Sequence, residues 1–211
     1  PSLCSPQVCA APALTWAKVL AGGLATRMQG QKALRMLRGR TLLEHALDLL
    51  RPHCGALAVS TGARDLPLPP GLAALADLPP YVQQGPLAGI HAGLVHAAKR
   101  HEKLLVLACD LPLIPPGLLG LLVDKLEAAD VAFCEHGGQP EPLVCALRTK
   151  AMLGPVERAL AAGRLKVVPL WKASRCEVLT DASLAAFAPL DRAFANVNTL
   201  EELEELERPG A

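Results

Sequence analysis

Aromatic side chains are scarce: 3% of the 211 residues. Proteins that bind single-stranded nucleic acid stack bases on aromatic platforms, and this chain has too few to build one. An excess of either charge is also missing. Lys and Arg number 21 against 20 Asp and Glu, a formal net charge of +1. No broad basic field points to nucleic acid or to an anionic membrane. No uncharged apolar run approaches the ~20 residues of a spanning helix. The first fifteen residues, PSLCSPQVCAAPALT, carry no basic n-region and do not read as a secretory signal. Their Pro, Ser and Ala content reads as a flexible tail over 1–15, with one domain over 16–211. The seven cysteines are odd in number and widely spaced, and no CxxC pair is present. That argues against a zinc site or a redox motif. Several lie in apolar runs and read as small core residues in a reducing compartment, the cytoplasm.

What is abundant is aliphatic. Apolar residues are 51% of the chain, and a chain of this length buries roughly 70% of its unfolded surface. Short apolar runs predict strands at 16–21, 56–60, 72–77 and 103–108. Helical spacing predicts helices at 41–51, 87–100 and 117–128. The run KLLVLA at 103–108 is continuously apolar after Lys103, as a strand covered on both faces should be. Strands at 131–135 and 142–147 follow, then helices at 149–162 and 199–207. The alternation of strands with helices through the first 130 residues predicts a doubly wound, mostly parallel α/β sheet with helices on both faces. The pair at 131–147 is expected to add an antiparallel element.

In such sheets ligands bind outside the carboxyl ends of the strands. The segment LAGGLATRMQGQK at 20–32 lies at such an end. Gly22 and Gly23 let backbone N–H groups approach an anion, and Arg27 and Lys32, a lysine expected to be solvent-accessible after such a turn, bring positive charge to the same place. A double glycine alone is equally a structural turn. Neither the Walker A nor the GxGxxG spacing is present. Asp110 follows the strongest strand directly. It reads either as a Mg²⁺ ligand, since that ion takes one or two carboxylates plus substrate phosphates, or as a helix N-cap. Asp77 ends the third strand and either contacts a base or sugar or simply terminates the strand. His91 and His96 read as surface or packing residues.

Several segments, in order, resemble the molybdenum cofactor guanylyltransferase family. They are LAGG at 20–23, RM at 27–28, KAL at 32–34, RGRTLLEH at 38–45, Asp77, GPLAGI at 85–90, CDLPLIP at 109–115, PEPLVCAL at 140–147 and FANVNTLEEL at 194–203. The resemblance implies a nucleotide-diphospho-sugar-transferase-like, Rossmann-type fold. It implies transfer of GMP from GTP to molybdenum-molybdopterin with Mg²⁺ as cofactor. It further implies a monomer that serves molybdoenzyme apoproteins or their chaperones. Carried over by motif, the nucleotide contacts are Leu20, Ala21, Gly22, Gly23, Lys32, Ser60 and Asp77, and the metal ligand is Asp110. Lys32, Asp110 and Arg27 would carry catalysis. Asn196 and Asn198 would face the pterin, although an NxN segment also has a plain turn chemistry. The chain departs from the family pattern at Gln29 (usually Gly), Gln31 (usually Asp) and Ser60 (often Asn). Three alternatives stay open: a cytidylyltransferase on the same cofactor, a sugar-phosphate nucleotidyltransferase, and a non-catalytic nucleotide- or cofactor-binding homologue.

Overall fold

The computed structural model describes residues 15–21, 32–62 and 66–208. The expected tail as far as residue 14, and the site candidates Gly22, Gly23 and Arg27 with their neighbours Gln29 and Gln31, lie outside the described residues, while Thr15, expected in the tail, is the first residue of a buried strand.

Strand β1, Thr15–Leu20, is buried at every position. Strands β2, Met36–Leu37, and β3, Arg40–Thr41, form a small antiparallel hairpin. Its two turn residues, Arg38 and Gly39, have φ of 50° and 78°. Positive φ at both central positions matches the right-handed twist of the flanking strands, and glycine adopts it without strain. Helix α1, Leu42–Leu50, starts in a reciprocal capping box between Thr41 and Glu44. Strands β4, Ala56–Gly62, and β5, Ala73–Ala76, precede helix α2, Pro86–Ala97. Strand β6, Lys103–Ala108, leads to helix α3, Pro116–Lys125. Strands β7, Val131–His136, and β8, Gln139–Arg148, follow, then helix α4, Thr149–Ala161. The remainder is α5 (Val167–Lys172), β9 (Cys176–Leu179), α6 (Asp181–Leu184), α7 (Leu190–Ala193) and α8 (Leu200–Glu207).

Seven strands form one sheet in the order β5-β4-β1-β6-β8-β7-β9. Strand β8 runs against both of its neighbours, and every other pairing is parallel. Helices α1 and α3 cover one face through Leu43, Leu47, Leu118 and Leu122. Helices α2 and α4 cover the other through Ile90, Leu94, Met152 and Val156. Both faces are therefore closed, which is why β1 and β6 read as mostly apolar runs, broken only by Thr15 and Lys18 in β1 and by Lys103 at the start of β6. The doubly wound, mostly parallel architecture expected from the alternation is the one observed, with the antiparallel element at 131–148. The hairpin, α5, β9 and the short α6 and α7 were not expected. A third, small core of Leu37, Leu42, Val197 and Leu203 joins the hairpin and α1 to α8.

Candidate active site

Three strand ends meet at the carboxyl edge of the sheet. The Ala21 amide donates to the Ser60 carbonyl at 3.1 Å, and the Cys109 amide donates to the Leu20 carbonyl at 3.3 Å. Leu20, Ala21 and Ser60 are thereby held side by side beneath the point where the chain enters the 22–31 segment. Helix α2 lies against them: a Cβ on Gly89 would fall 2.9 Å from Ser60 Oγ and 3.1 Å from Leu20 Cδ2. Glycine at this position lets the helix approach the sheet closely.

Lys32 is the centre of the site. Its Nζ donates to Asp110 Oδ2 at 2.8 Å and to Asn198 Oδ1 at 2.7 Å. These partners lie 78 and 166 positions away in sequence. The Val197 amide donates to the Asp110 carbonyl at 2.9 Å, and Arg35 donates through a guanidinium nitrogen to the Asn198 carbonyl at 3.2 Å. Lys32, the end of β6 and the segment before α8 are thus drawn to one point. Lys32 was expected to be solvent-accessible, but it is only 9% exposed. An ammonium that deep needs charged or polar partners, and Asp110 and Asn198 supply them.

Asp110 does not cap a helix. Helix α3 starts at Pro116, its N-cap is Pro115, and that cap makes no side-chain hydrogen bond. The carboxylate is free to face the edge, and its side chain is 26% exposed. Glu141, half-buried at the start of β8, lies close enough to feel it. Burial first, and the charge of Asp110 second, push the Glu141 carboxyl above its ordinary range. Burial also pushes the neighbouring Cys109 thiol up to about 12, so it stays protonated and inert. Among the described residues no three His, Cys, Asp or Glu side chains gather as a metal cage.

Asp77 stands apart from this group. It follows the outermost strand, β5, and its Oδ2 accepts the Gln83 amide at 3.0 Å, closing the 77–83 turn. Asn196 and Asn198 flank Val197, which is fully buried. Only Asn198 is seen bonded into the Lys32 group. His91 is buried edge-on to Tyr81, and His96 stacks on Trp16, so both pack.

Sequence reading passed over Arg35, Glu141 and Lys18. Lys18 was the most legible of the three, as the one charge in an apolar strand buried on both faces. Its side chain is 0% exposed and donates to the Gly89 carbonyl at 2.6 Å. Burial lowers its pKa to about 7, against a smaller opposing pull from Asp77.

A mostly parallel α/β sheet with an acid and a lysine paired at its carboxyl edge places this chain among the open α/β proteins that bind ligands at that edge. The comparisons with known proteins narrow the class. The family model for the MobA-like NTP transferase domain matches residues 17–208, and the chain belongs to that family. It is 34% identical over 185 residues to a Pelotomaculum thermopropionicum protein named probable molybdenum cofactor guanylyltransferase, covering 88% of each chain. It is 33% identical over 191 residues to the molybdenum cofactor guanylyltransferase of Desulfosudis oleivorans, covering 90% of this chain and 92% of the relative. Among solved structures, molybdopterin-guanine dinucleotide biosynthesis protein A from Archaeoglobus fulgidus superposes with a TM-score of 0.72 at 26% identity, covering 91% of this chain and 96% of that one. The 2-C-methyl-D-erythritol 4-phosphate cytidylyltransferase of Thermus thermophilus superposes at 0.62 and 17% identity, with 90% and 96% covered, and shares the fold.

Proposed function

We propose that this protein transfers GMP from GTP to molybdenum-molybdopterin, giving the guanine dinucleotide form of the cofactor and pyrophosphate. The observation that carries the reading is the Lys32 ammonium bridging Asp110 and Asn198 at the carboxyl edge. It joins the expected nucleotide side to the expected pterin side, in a chain whose relatives bear the guanylyltransferase name.

An oxygen of the pterin's terminal phosphate forms a bond to the α-phosphorus of GTP, and the bond from that phosphorus to the bridging oxygen of pyrophosphate breaks. The attacking phosphate is already an anion, so no general base is required. Catalysis is then positioning and charge neutralisation. Leu20, Ala21 and Ser60 would lie along the nucleotide, with the 22–23 amides near its phosphates and Asp77 toward base or sugar. Lys32 and Arg27 would offset charge on the leaving pyrophosphate. Asn196 and Asn198 would meet the pterin. Asp110, a single partly open carboxylate with no cage around it, suits a cation that takes most of its ligands from phosphate and water. Mg²⁺ held there would supply further neutralisation of the triphosphate. The five described cysteines are free thiols, which fits work in the reducing cytoplasm. A monomer that passes its product to molybdoenzyme apoproteins or their chaperones completes the proposal.

The test is pyrophosphate release with molybdenum-loaded pterin and Mg²⁺, run in parallel with GTP, ATP and CTP. GTP is expected to be the preferred donor. Equal turnover with all three nucleotides would end the guanylyl assignment, and turnover with CTP alone would move the chain to the cytidylyl branch.

A further inference from the structure

Strand β7 ends at His136, outside the Lys32 group. Its Nδ1 lies 2.8 Å from Asp181 Oδ1, and its Nε2 lies 2.9 Å from Asp191 Oδ1. A neutral imidazole has one N–H, and an ionised carboxylate can only accept. Two carboxylate partners, one on each ring nitrogen, are both satisfied only when both nitrogens carry protons. Asp181 is held on its other oxygen by the Gly137 amide at 3.0 Å. The imidazole ring stacks on Phe194 with centroids 5.2 Å apart and planes 17° from parallel. Phe194 is buried, and three residues later Val197 is fully buried and donates its amide to Asp110.

We infer that His136, as an imidazolium clasped between Asp181 and Asp191, is a positioning residue that fixes the Phe194–Asn198 segment against the Lys32–Asp110 pair. The clasp ties the tip of β7 to α6 and α7. The ring under Phe194 then sets where the following residues run. With the clasp open, Phe194 keeps its apolar burial but loses its stacked cation. Asn198 then loses the register that lets Lys32 reach it and Asp110 together.

The groups facing His136 are Asp181 from α6, Asp191 from α7 and Glu141 from β8, with Glu135 beside it on β7. The Asp181 hydrogen bond first, and the Asp191 bond after the opposing effect of burial, hold the imidazole above its ordinary value of 6.5. Asp181 is correspondingly held below its ordinary carboxylate value by His136. A histidine raised on folding contributes fully below 6.5, and its contribution is lost as pH rises through the raised value. The segment over Asp110 should therefore loosen as pH rises through the raised His136 value.

The experiment is an NMR titration of His136 in the full chain, with amide exchange of residues 194–198 followed across the same pH series. His136 should titrate above 6.5. Exchange at Val197, corrected for intrinsic chemistry, should quicken through that titration. Asp191→Asn keeps the shape of a fully exposed side chain. It should lower the titration point and speed exchange of 194–198 by roughly two- to fivefold at neutral pH, the scale of an exposed ion pair. His136→Gln should abolish the pH step and leave the amides of α2 unchanged. A titration point below 6.5, or Val197 exchange indifferent both to pH and to Asp191→Asn, would overturn the inference. None of these readings uses GTP, so a failure of guanylyl transfer would leave the clasp standing. Its consequence for turnover, which does rest on the proposed reaction, is a fall in kcat/KM for the pterin across the same titration.

Discussion

The two halves of the sheet hold their ends of the site by different means. On the β5-β4-β1-β6 side the ties are main-chain hydrogen bonds, Ala21 to Ser60 and Cys109 to Leu20. On the β8-β7-β9 side, and in the C-terminal segment that packs on the hairpin and reaches Lys32 and Asp110, the ties are mostly side chains and charges. Lys32 reaches Asn198, His136 sits between two aspartates, and Glu202 accepts the amides of Asn198 and Thr199. Main-chain ties persist whatever the pH, and parallel strands impose them wherever apolar runs pair. Side-chain ties depend on ionisation and on partners far away in sequence. The two systems meet at Asp110, whose carbonyl serves the Val197 amide while its carboxylate serves Lys32.

The sharpest way to break this comparison is at the junction. Asp110→Asn preserves size and can still accept from Lys32 through its amide oxygen, so the fold should survive. The charge that would hold a hard cation is lost. We expect turnover to fall by about 10²-fold or more, as when one electrostatic stabiliser is deleted, with partial recovery at raised Mg²⁺. Steady-state rates across a Mg²⁺ series check this. Near-parental rates at low Mg²⁺ would move the metal to Asp77 or to the phosphates alone.

Lys18 is the exception that tests whether the first half is indifferent to pH. Its pKa falls from 10.5 to about 7 on folding. Between those values the unfolded chain binds more protons than the folded one, so this residue makes stability rise with pH across that window. Below about 7 the cost of the buried ammonium is present in full. Lys18→Met fills the same space without the charge. It should stabilise the fold by roughly 1–4 kcal/mol at neutral pH, the range seen when buried charge gives way to apolar packing. It should also flatten the alkaline rise in stability. Denaturant midpoints at neutral and alkaline pH measure both effects, and an unchanged slope between the two would assign the pH dependence elsewhere.

The first half was legible in the sequence for the reason that makes it rigid. Apolar runs such as KLLVLA, unbroken after Lys103, mark strands covered on both faces, and the β6 run matches its expected bounds of 103–108. Asp110 could be singled out because it follows that run directly. Its alternative role as a helix cap was not separable by pattern, since the distance to α3 is set by the LPLIP turn. The second half was less readable. Strand β9 is four residues long, and α6 and α7 are single turns with no periodicity to detect. The partners of Lys32 and His136 are fixed by topology, so no local window contains them. Lys32 itself was expected to be exposed because a phosphate turn is usually open, and only the fold shows the segment before α8 closing over it.

The smallest of the expected effects asks whether the halves communicate anywhere besides Asp110. Thr41 opens α1: its hydroxyl accepts the Glu44 amide at 3.1 Å, and Glu44 returns a carboxylate to the Thr41 amide at 2.7 Å. Thr41→Ala removes one side of that box and should cost about 1 kcal/mol. The first residue of the helix, Leu42, belongs to the small core with Leu37, Val197 and Leu203, while Leu43, Ala46, Leu47 and Leu50 belong to the main one. Fraying at Leu42 therefore loosens the apolar seat of Val197 without touching any charged tie. We expect Thr41→Ala to quicken Val197 exchange by a similar factor at every pH, leaving the His136 titration where it was. A change in exchange that follows the His136 titration would mean that the clasp and the small core act as one unit. Unaltered exchange at Val197, with the global stability still lowered, would leave Asp110 as the point through which the two halves are coupled.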